Sequence, residues 1–170
     1  GAIQQEALAL GFDAVGIARV DSPSSPQPTL AARLTQWLQR GYYAAMAWME
    51  RAPEKRADPR LVLPGCRSII CVGLNYLTDE RADERSGHGR IARYAWGQDY
   101  HEVVGEQLKQ LEQRIAILAP HAITRSYVDT GPVMEKAWAE QAGLGWIGKH
   151  SNLVSSEHGS WLLLGEIHTT

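Results

Sequence analysis

The run RSIICVGLNY, residues 67–76, places the strongest constraint on the fold. Its β-branched and apolar residues predict a strand buried within a sheet. Further strands are predicted from FDAVGIA, from ITRSYVD, and from a closing hairpin in which LVSS and WLLLGEIHTT are joined by a turn through EHGS. Because that hairpin is antiparallel while helices separate the earlier strands, we expect an α+β fold with a mixed β-sheet flanked by helices.

Segments with apolar residues at three- and four-residue spacing separate these strands and predict amphipathic helices. The first helix is expected to end at Gly11, where glycine supplies a left-handed stop. Thr29 is expected to cap the helix LAARLTQWLQR after the loop DSPSSPQP, and YAAMAWMERA predicts a second short helix. Asp99 can cap a long helix that extends to Leu118, and Pro132 is expected to open the helix PVMEKAWAEQA.

The charge balance argues against a general affinity for nucleic acid. The 170 residues are 44% hydrophobic, which predicts one globular domain, and their net charge of -2 gives no overall attraction to a polyanion. One local basic stretch could touch phosphates, but its interspersed acids fit a solvated loop equally well. Its arginines are Arg81, Arg85, Arg90 and Arg93, and its acids are Asp79, Glu80, Asp83 and Glu84.

The cysteines and the two ends of the sequence limit which further kinds of site and protein are expected. Cys66 and Cys71 match no ligand spacing for zinc or an iron–sulfur cluster, so we expect buried small hydrophobes and no metal site. The sequence lacks an apolar stretch of membrane-spanning length and a signal pattern, which predicts a cytoplasmic protein without membrane contact. Because it begins with Gly1 and stops at Thr170 after a strand-like segment, we expect a fragment of a longer chain.

The block SYVDTGPVMEKAWAEQAGLGWIGKHSNLV carries the clearest functional signal, because five glycine or proline residues surround the carboxylate of Asp129. Asp129 follows a strand and precedes a helix, so it could be a favourable charge at the helix N-terminus. If a bulky apolar cofactor desolvated it, it could instead be a proton donor. The three glycines of GLGWIG allow close approach to a flat ligand, although a tight turn with Trp146 in the core also fits. Lys149 and Asn152 could bond ligand substituents or be solvated.

The blocks PEKRADPRLVLPGCRSIICVGLNY, GRIARYAWGQDYH and YVDTGPVMEKAWAEQAGLGWIGKHSNLV resemble the N-terminal half of the epoxyqueuosine reductases, which are cobalamin-dependent iron–sulfur enzymes of queuosine synthesis. The similarity runs from ALALGFDAVGIA to GSWLLLGEI. It implies a fold similar to that of flavin nitroreductases and corrinoid reductive dehalogenases, with cobalamin lying over the sheet. It identifies residues 1–170 as a cobalamin-binding catalytic domain.

The resemblance also implies roles for individual residues. The family's proton donor, the aspartate of its VDTG motif, falls on Asp129, which would lie beside the corrin. Further corrinoid contacts would fall on Arg56 in the EKR loop, on Tyr94 in the RYAWG loop, and on a segment that comprises Trp146, Ile147, Gly148, Lys149, Ser151 and Asn152.

The implied activity is reductive deoxygenation of epoxyqueuosine to queuosine at the wobble base of a tRNA anticodon loop. Reduced cobalt would attack an epoxide carbon, and Asp129 would protonate the opened oxygen. The family's two 4Fe–4S clusters belong to a region that nothing here resembles, so this chain is expected to bind neither, to need an external electron donor, and to be inactive alone. Open alternatives are a flavin-dependent nitroreductase-like reductase, a non-catalytic corrinoid-binding module and a corrinoid dehalogenase.

Overall fold

The computed structural model describes residues 1–20, 27–81 and 86–170. Residues 21–26 of the predicted loop, and Asp83, Glu84 and Arg85 of the basic stretch, lie outside the described residues. Within the described ranges, no helix is both long enough and apolar enough to cross a bilayer.

The strands form a larger and a smaller sheet. They are β1 (Ala14–Arg19), β2 (Ser68–Asn75), β3 (Thr124–Tyr127), β4 (Trp146–Ile147), β5 (Leu153–Val154) and β6 (Leu162–Thr169). The larger sheet has the order β1-β2-β6-β3, and β4 pairs with β5 in the smaller one. On β6, Glu166 lies opposite Cys71 of β2 and Tyr127 of β3.

One helix precedes β1, and the others lie in connections between the first four strands. They are α1 (Ala2–Ala9), α2 (Gln27–Gln39), α3 (Pro53–Ala57), α4 (Tyr100–Leu118) and α5 (Glu135–Gln141), with 3₁₀ turns at Ala47–Glu50, Pro59–Leu61 and Arg93–Ala95. The predicted cap of α4 is confirmed, because the Asp99 side chain accepts a hydrogen bond from the His101 amide at 2.9 Å. The predicted α+β class is confirmed as well.

The sheet is antiparallel in all its described pairings rather than mixed. β2 and β3 both run against β6 and therefore run in the same direction as each other, as expected for strands connected through the single helix α4. β6 lies between them and pairs with both. β2 and β3 are parallel to each other, but because β6 lies between them, each forms an antiparallel pair with β6 instead.

Four local predictions were wrong. LVSS does not pair with the last strand, because β5 turns back onto β4, and Gly145 permits that approach by leaving room for the Val154 carbonyl. Helix α5 begins at Glu135 rather than at Pro132. Helix α2 begins at Gln27, so Thr29 lies within its first turn, and YAAMAWMERA contains a 3₁₀ turn in place of an α-helix.

The larger sheet is covered on both faces. On one face α1 and α4 pack on Ile70, Val72 and Ile167, with Leu108 and Leu111 of α4 fully buried. On the other face α5 packs through Trp138 and Ala139, against a cluster that includes Ile69 and both cysteines. Cys66 and Cys71 are both buried, as predicted. The second face matters for function, because Glu166 and His168 of β6 alternate with Ile167 and therefore point toward α5.

Candidate active site

Asp129 lies at the apex of a three-residue turn directly after β3. The Thr130 amide donates to the Val128 carbonyl across 2.5 Å, and Asp129 has a φ of 55°. A turn of this type with a positive central φ is rare, and a non-glycine residue in it costs on the order of 1–3 kcal/mol. The turn leaves the Asp129 side chain 65% exposed. The strain therefore accompanies an outward-pointing carboxylate.

An open cavity of about 300 Å³ lies beside this carboxylate. Its apolar lining comes from consecutive residues of β6, namely Leu162, Leu163 and Leu164, and its aromatic lining from Tyr76, Tyr94 and Tyr100. Polar lining comes from Asp129, Glu135, Lys136, Asn152 and Ser160. An apolar lining with a few convergent polar groups is typical of a site for a small molecule or cofactor.

The first turn of α4 places two side chains against Asp129. The Tyr100 hydroxyl donates to Asp129 Oδ2 over 3.1 Å, and His101 Nε2 lies 3.6 Å from the same oxygen. Burial and the charge of Asp129 raise the pKa of Tyr100 to about 12, so the phenol keeps the proton that it donates. A hydrogen bond with Asp99, 2.7 Å from His101 Nδ1, raises the pKa of His101 above its usual 6.5. The carboxylate thus lies between a phenol donor and an imidazole that can carry a proton.

Glu135, the first residue of α5, lies on the other side of the turn. Its Oε1 accepts a hydrogen bond from the Asp129 amide at 2.5 Å. Burial raises the pKa of Glu135 to about 7, and the neighbouring carboxylate of Glu166 acts in the same direction. Glu166 is fully buried on β6, where its Oε1 lies 2.7 Å from His168 Nε2. Ionisable groups therefore extend from the interior of the sheet to the Asp129 turn.

Four predicted contact residues line two cavities that α5 also lines. Tyr94 and Asn152 line the cavity beside Asp129, while Ile147 and Ser151 line a second cavity of about 390 Å³ between α2 and α5. Lys136 lines both cavities, and its Nζ donates to the Ser151 carbonyl at 3.0 Å and to Asn152 Oδ1 at 2.9 Å. Lys136 therefore holds the loop that carries Ser151 and Asn152.

Arg56 approaches the Asp129 turn from α3. Its Nη1 donates to the Gly131 carbonyl at 3.4 Å, and its guanidinium lies 5.1 Å from the centroid of the Trp48 ring. Its Nε is buried without a hydrogen-bond partner in the described part of the chain. The residue is near the predicted site, but these contacts are structural ones within the protein.

The remaining predicted residues, Trp146, Gly148 and Lys149, lie on the small sheet and its turn. Trp146 is 52% exposed, so the alternative that places it in the core is wrong. Lys149 is also exposed. A Cβ at Gly148 would come within 2.7 Å of the His150 ring and 2.9 Å of Val154 Cγ2. Internal packing is therefore sufficient to explain this glycine.

Sequence reasoning missed Tyr100, His101, Glu135 and Lys136, which all contact the predicted residues. Nothing local marks them, since each is a polar residue in the first turn of an amphipathic helix. A signal did exist for Glu166. A charged residue inside the apolar run WLLLGEIHTT, two positions before a histidine, places both polar side chains on one face of a strand and predicts a buried pair.

Comparison with known proteins gives consistent results. The family described as "Epoxyqueuosine reductase QueG, DUF1730" matches residues 56–130. The epoxyqueuosine reductase of Synechocystis sp. is 50% identical over 155 residues, which are 91% of this chain and 52% of that protein. That of Gloeobacter violaceus is 51% identical over 168 residues, covering 99% of this chain and 51% of that protein. The chain thus spans about half the length of the curated relatives it matches.

Solved structures agree with these sequence relatives. An epoxyqueuosine reductase crystallised with an epoxyqueuosine-modified stem loop of tyrosine tRNA superposes with a TM-score of 0.86 at 32% identity, covering 99% of this chain and 44% of that one. The Bacillus subtilis reductase, solved with an aspartate-bearing catalytic loop swung out of the active site, gives a TM-score of 0.85 at 30% identity over the same shares. By sequence and by fold, the chain is similar to the epoxyqueuosine reductases over about half of their length.

Proposed function

We propose that this chain is the catalytic half of an enzyme that deoxygenates epoxyqueuosine to queuosine at the wobble position of tRNA. The observation that carries the proposal is the Asp129 carboxylate, held outward on a strained turn at the edge of a cavity and flanked by Tyr100 and His101. The chain spans about half of its relatives. The electrons would come through two 4Fe–4S clusters in the rest of the longer protein, which receives them from an external donor.

Cobalamin is the cofactor that we assign to the cavity beside β6. A corrin is a broad apolar ring with amide substituents, and the cavity offers both kinds of surface. Leu162 and Leu164, which share one face of β6, provide an apolar surface, while Lys136, Asn152 and Ser160 provide polar groups that can bond amides. Tyr94 lies at the same cavity and is half exposed. When bound, cobalamin would supply a strongly reducing metal centre at the epoxide carbon.

Asp129 would supply the proton. Removing an epoxide oxygen as water consumes two electrons and two protons, and the opened oxygen must be protonated as its bond to carbon breaks. A protonated Asp129 can give its proton to that oxygen, and Tyr100 then stabilises the resulting carboxylate by donating to Oδ2. His101, near the same oxygen, can return a proton from solvent. These steps use only groups that the turn and α4 already bring together.

The tRNA would approach over the aromatic rim of this cavity. The guanidinium of Arg93 lies 5.2 Å from the Trp96 ring centroid and 5.6 Å from that of Trp161. Proteins commonly hold splayed RNA bases on aromatic rings and arginine planes of this kind. The tRNA stem loop bound to a relative of similar fold supports the same class of partner.

Asp129→Asn tests the proposal in the full-length protein that carries this chain. Asparagine keeps the shape and the hydrogen-bonding oxygen but cannot deliver a proton, so the single-turnover rate is expected to fall roughly 10²- to 10⁴-fold with little change in tRNA affinity. Glu106→Gln, which neutralises an exposed carboxylate on α4, is the matched control and should retain the wild-type rate. A near-normal rate in Asp129→Asn would remove this residue from the mechanism.

A further inference from the structure

The geometry of the Asp129 turn raises the question of what keeps a strained backbone in place. Asp129 is a non-glycine residue with a φ of 55°, and a conformation of this cost persists only where surrounding contacts enforce it. The turn has little packing of its own, since Asp129 and Thr130 are both exposed. The contacts that enforce it must therefore come from neighbouring elements.

Two contacts hold the far end of the turn. Gly131 packs so closely on Tyr127 that a Cβ there would collide with the ring, and Arg56 binds the Gly131 carbonyl at 3.4 Å. Neither contact reaches Asp129 itself. The backbone of Asp129 is held instead by Glu135, whose Oε1 accepts its amide at 2.5 Å.

The Glu135 contact is not an ordinary helix cap. The residue is the first of α5, yet its side chain reaches back six positions to the turn. The side chain of the N-cap residue, Met134, makes no capping hydrogen bond among the described residues. Hydrogen bonds to a charged carboxylate are about twice as strong as neutral ones, which suits a role in holding a strained backbone.

We propose that Glu135 is the positioning residue of the active site, whose carboxyl binds the Asp129 amide and thereby keeps the Asp129 side chain beside Tyr100 at the cavity. The effect of Glu135 on catalysis rests on the proposed function. The hydrogen bond between the Asp129 amide and Glu135 is independent of that function. Loss of the Glu135 carboxyl would release the turn and allow Asp129 to leave the cavity.

Several charged groups face the Glu135 carboxyl and set its ionisation. The charges of Glu166 and Asp129 oppose the ionisation of Glu135, and the charge of Lys136 favours it. The charge of Glu135 in turn raises the pKa values of Tyr100 and Cys71. Burial is the largest influence, and the resulting pKa of about 7 places the ionisation in the physiological range. The hydrogen bond to the Asp129 amide should accordingly strengthen as the pH rises through 7, the range over which Glu135 ionises.

The test follows the Asp129 amide directly, by NMR of the ¹⁵N-labelled chain without cofactor or tRNA. In the wild type this amide is expected to be protected from hydrogen exchange and to change its chemical shift with a midpoint near pH 7. Glu135→Gln retains an acceptor oxygen but cannot ionise, so protection should largely remain while the pH-dependent step disappears. Glu135→Ala should lose both, with exchange roughly 10- to 100-fold faster.

Glu140→Gln is the matched control, because Glu140 lies on the same helix and binds the Ile147 amide through Oε1 at 2.9 Å. It should leave the Asp129 amide unchanged. A step near pH 7 that persists in Glu135→Gln, or unchanged protection in Glu135→Ala, would overturn the assignment. If Asp129→Asn slows the reaction and one of these two NMR results is found, only the role of Glu135 is refuted. If Asp129→Asn reacts at a near-normal rate while the Asp129 amide shows the expected protection and pH dependence, only the proposed function is refuted.

Discussion

Replacing Glu135 by glutamine should change how the stability of the protein depends on pH. The pKa of Glu135 is raised from its usual 4.5 to about 7 by burial and by Glu166. A folded-state pKa above the unfolded value means that the folded protein retains a proton which the unfolded chain releases. The proton retained on Glu135 therefore contributes stability that is fully present below about pH 4.5 and is lost as the pH rises to about 7.

The magnitude follows from the two pKa values. Their separation corresponds to about 3 kcal/mol at about 1.4 kcal/mol per pH unit, an upper figure because water can reach the edge of the cavity. Glutamine carries no charge at any pH, so Glu135→Gln should match the wild type near pH 4.5 and exceed its free energy of unfolding by up to about 3 kcal/mol at pH 8. For a chain of this size, that difference is roughly 6–12 °C in Tm.

Urea denaturation at several pH values between 4.5 and 8 measures the effect. The difference between Glu135→Gln and the wild type should grow with pH and level off above pH 7, while Glu140→Gln should show no such trend. A difference that stays constant across this range, or that shrinks as the pH rises, would refute the reasoning on the burial of this carboxyl.

Two further predictions concern the small sheet and the cofactor. Gly148→Ala should destabilise the protein by about 1–3 kcal/mol in the same denaturation assay, because its Cβ would collide with His150 and Val154; a neutral result would show that the turn has room to accept a side chain. When cobalamin is titrated with the protein, its absorbance spectrum should change until the change saturates. The absorbance spectrum of flavin should stay unchanged in the same titration. The opposite pattern would favour the flavin-dependent reductase.

The sequence predicts the parts of the fold that depend on local patterns. The β-branched run of β2 and the Asp99 cap of α4 both follow from residues close in sequence, and both are present in the structure. The order of strands does not follow in this way. Nothing local indicates that β6 inserts between β2 and β3, or that β5 turns back onto β4, because these pairings depend on contacts between distant residues.

The same distinction applies to the site. Asp129 stands out in the sequence because glycine and proline surround it, and the structure places its side chain beside the cavity, where it is 65% exposed. Glu135 could not be identified in advance, because its importance depends on a side chain that reaches back to the Asp129 amide and on burial beside Glu166. Burial and long-range hydrogen bonds are tertiary properties, so sequence periodicity does not reveal them.

Deoxygenation of epoxyqueuosine can be measured directly in the full reaction. The full-length protein that carries this chain is incubated with a reducing system and an epoxyqueuosine-containing tRNA stem loop, and the nucleosides are then analysed by mass spectrometry. We expect conversion to a nucleoside lighter by one oxygen atom, with cobalamin required and with conversion strongly slowed in Asp129→Asn. An unchanged epoxyqueuosine nucleoside in the presence of cobalamin and reductant would show that the protein does not catalyse this deoxygenation.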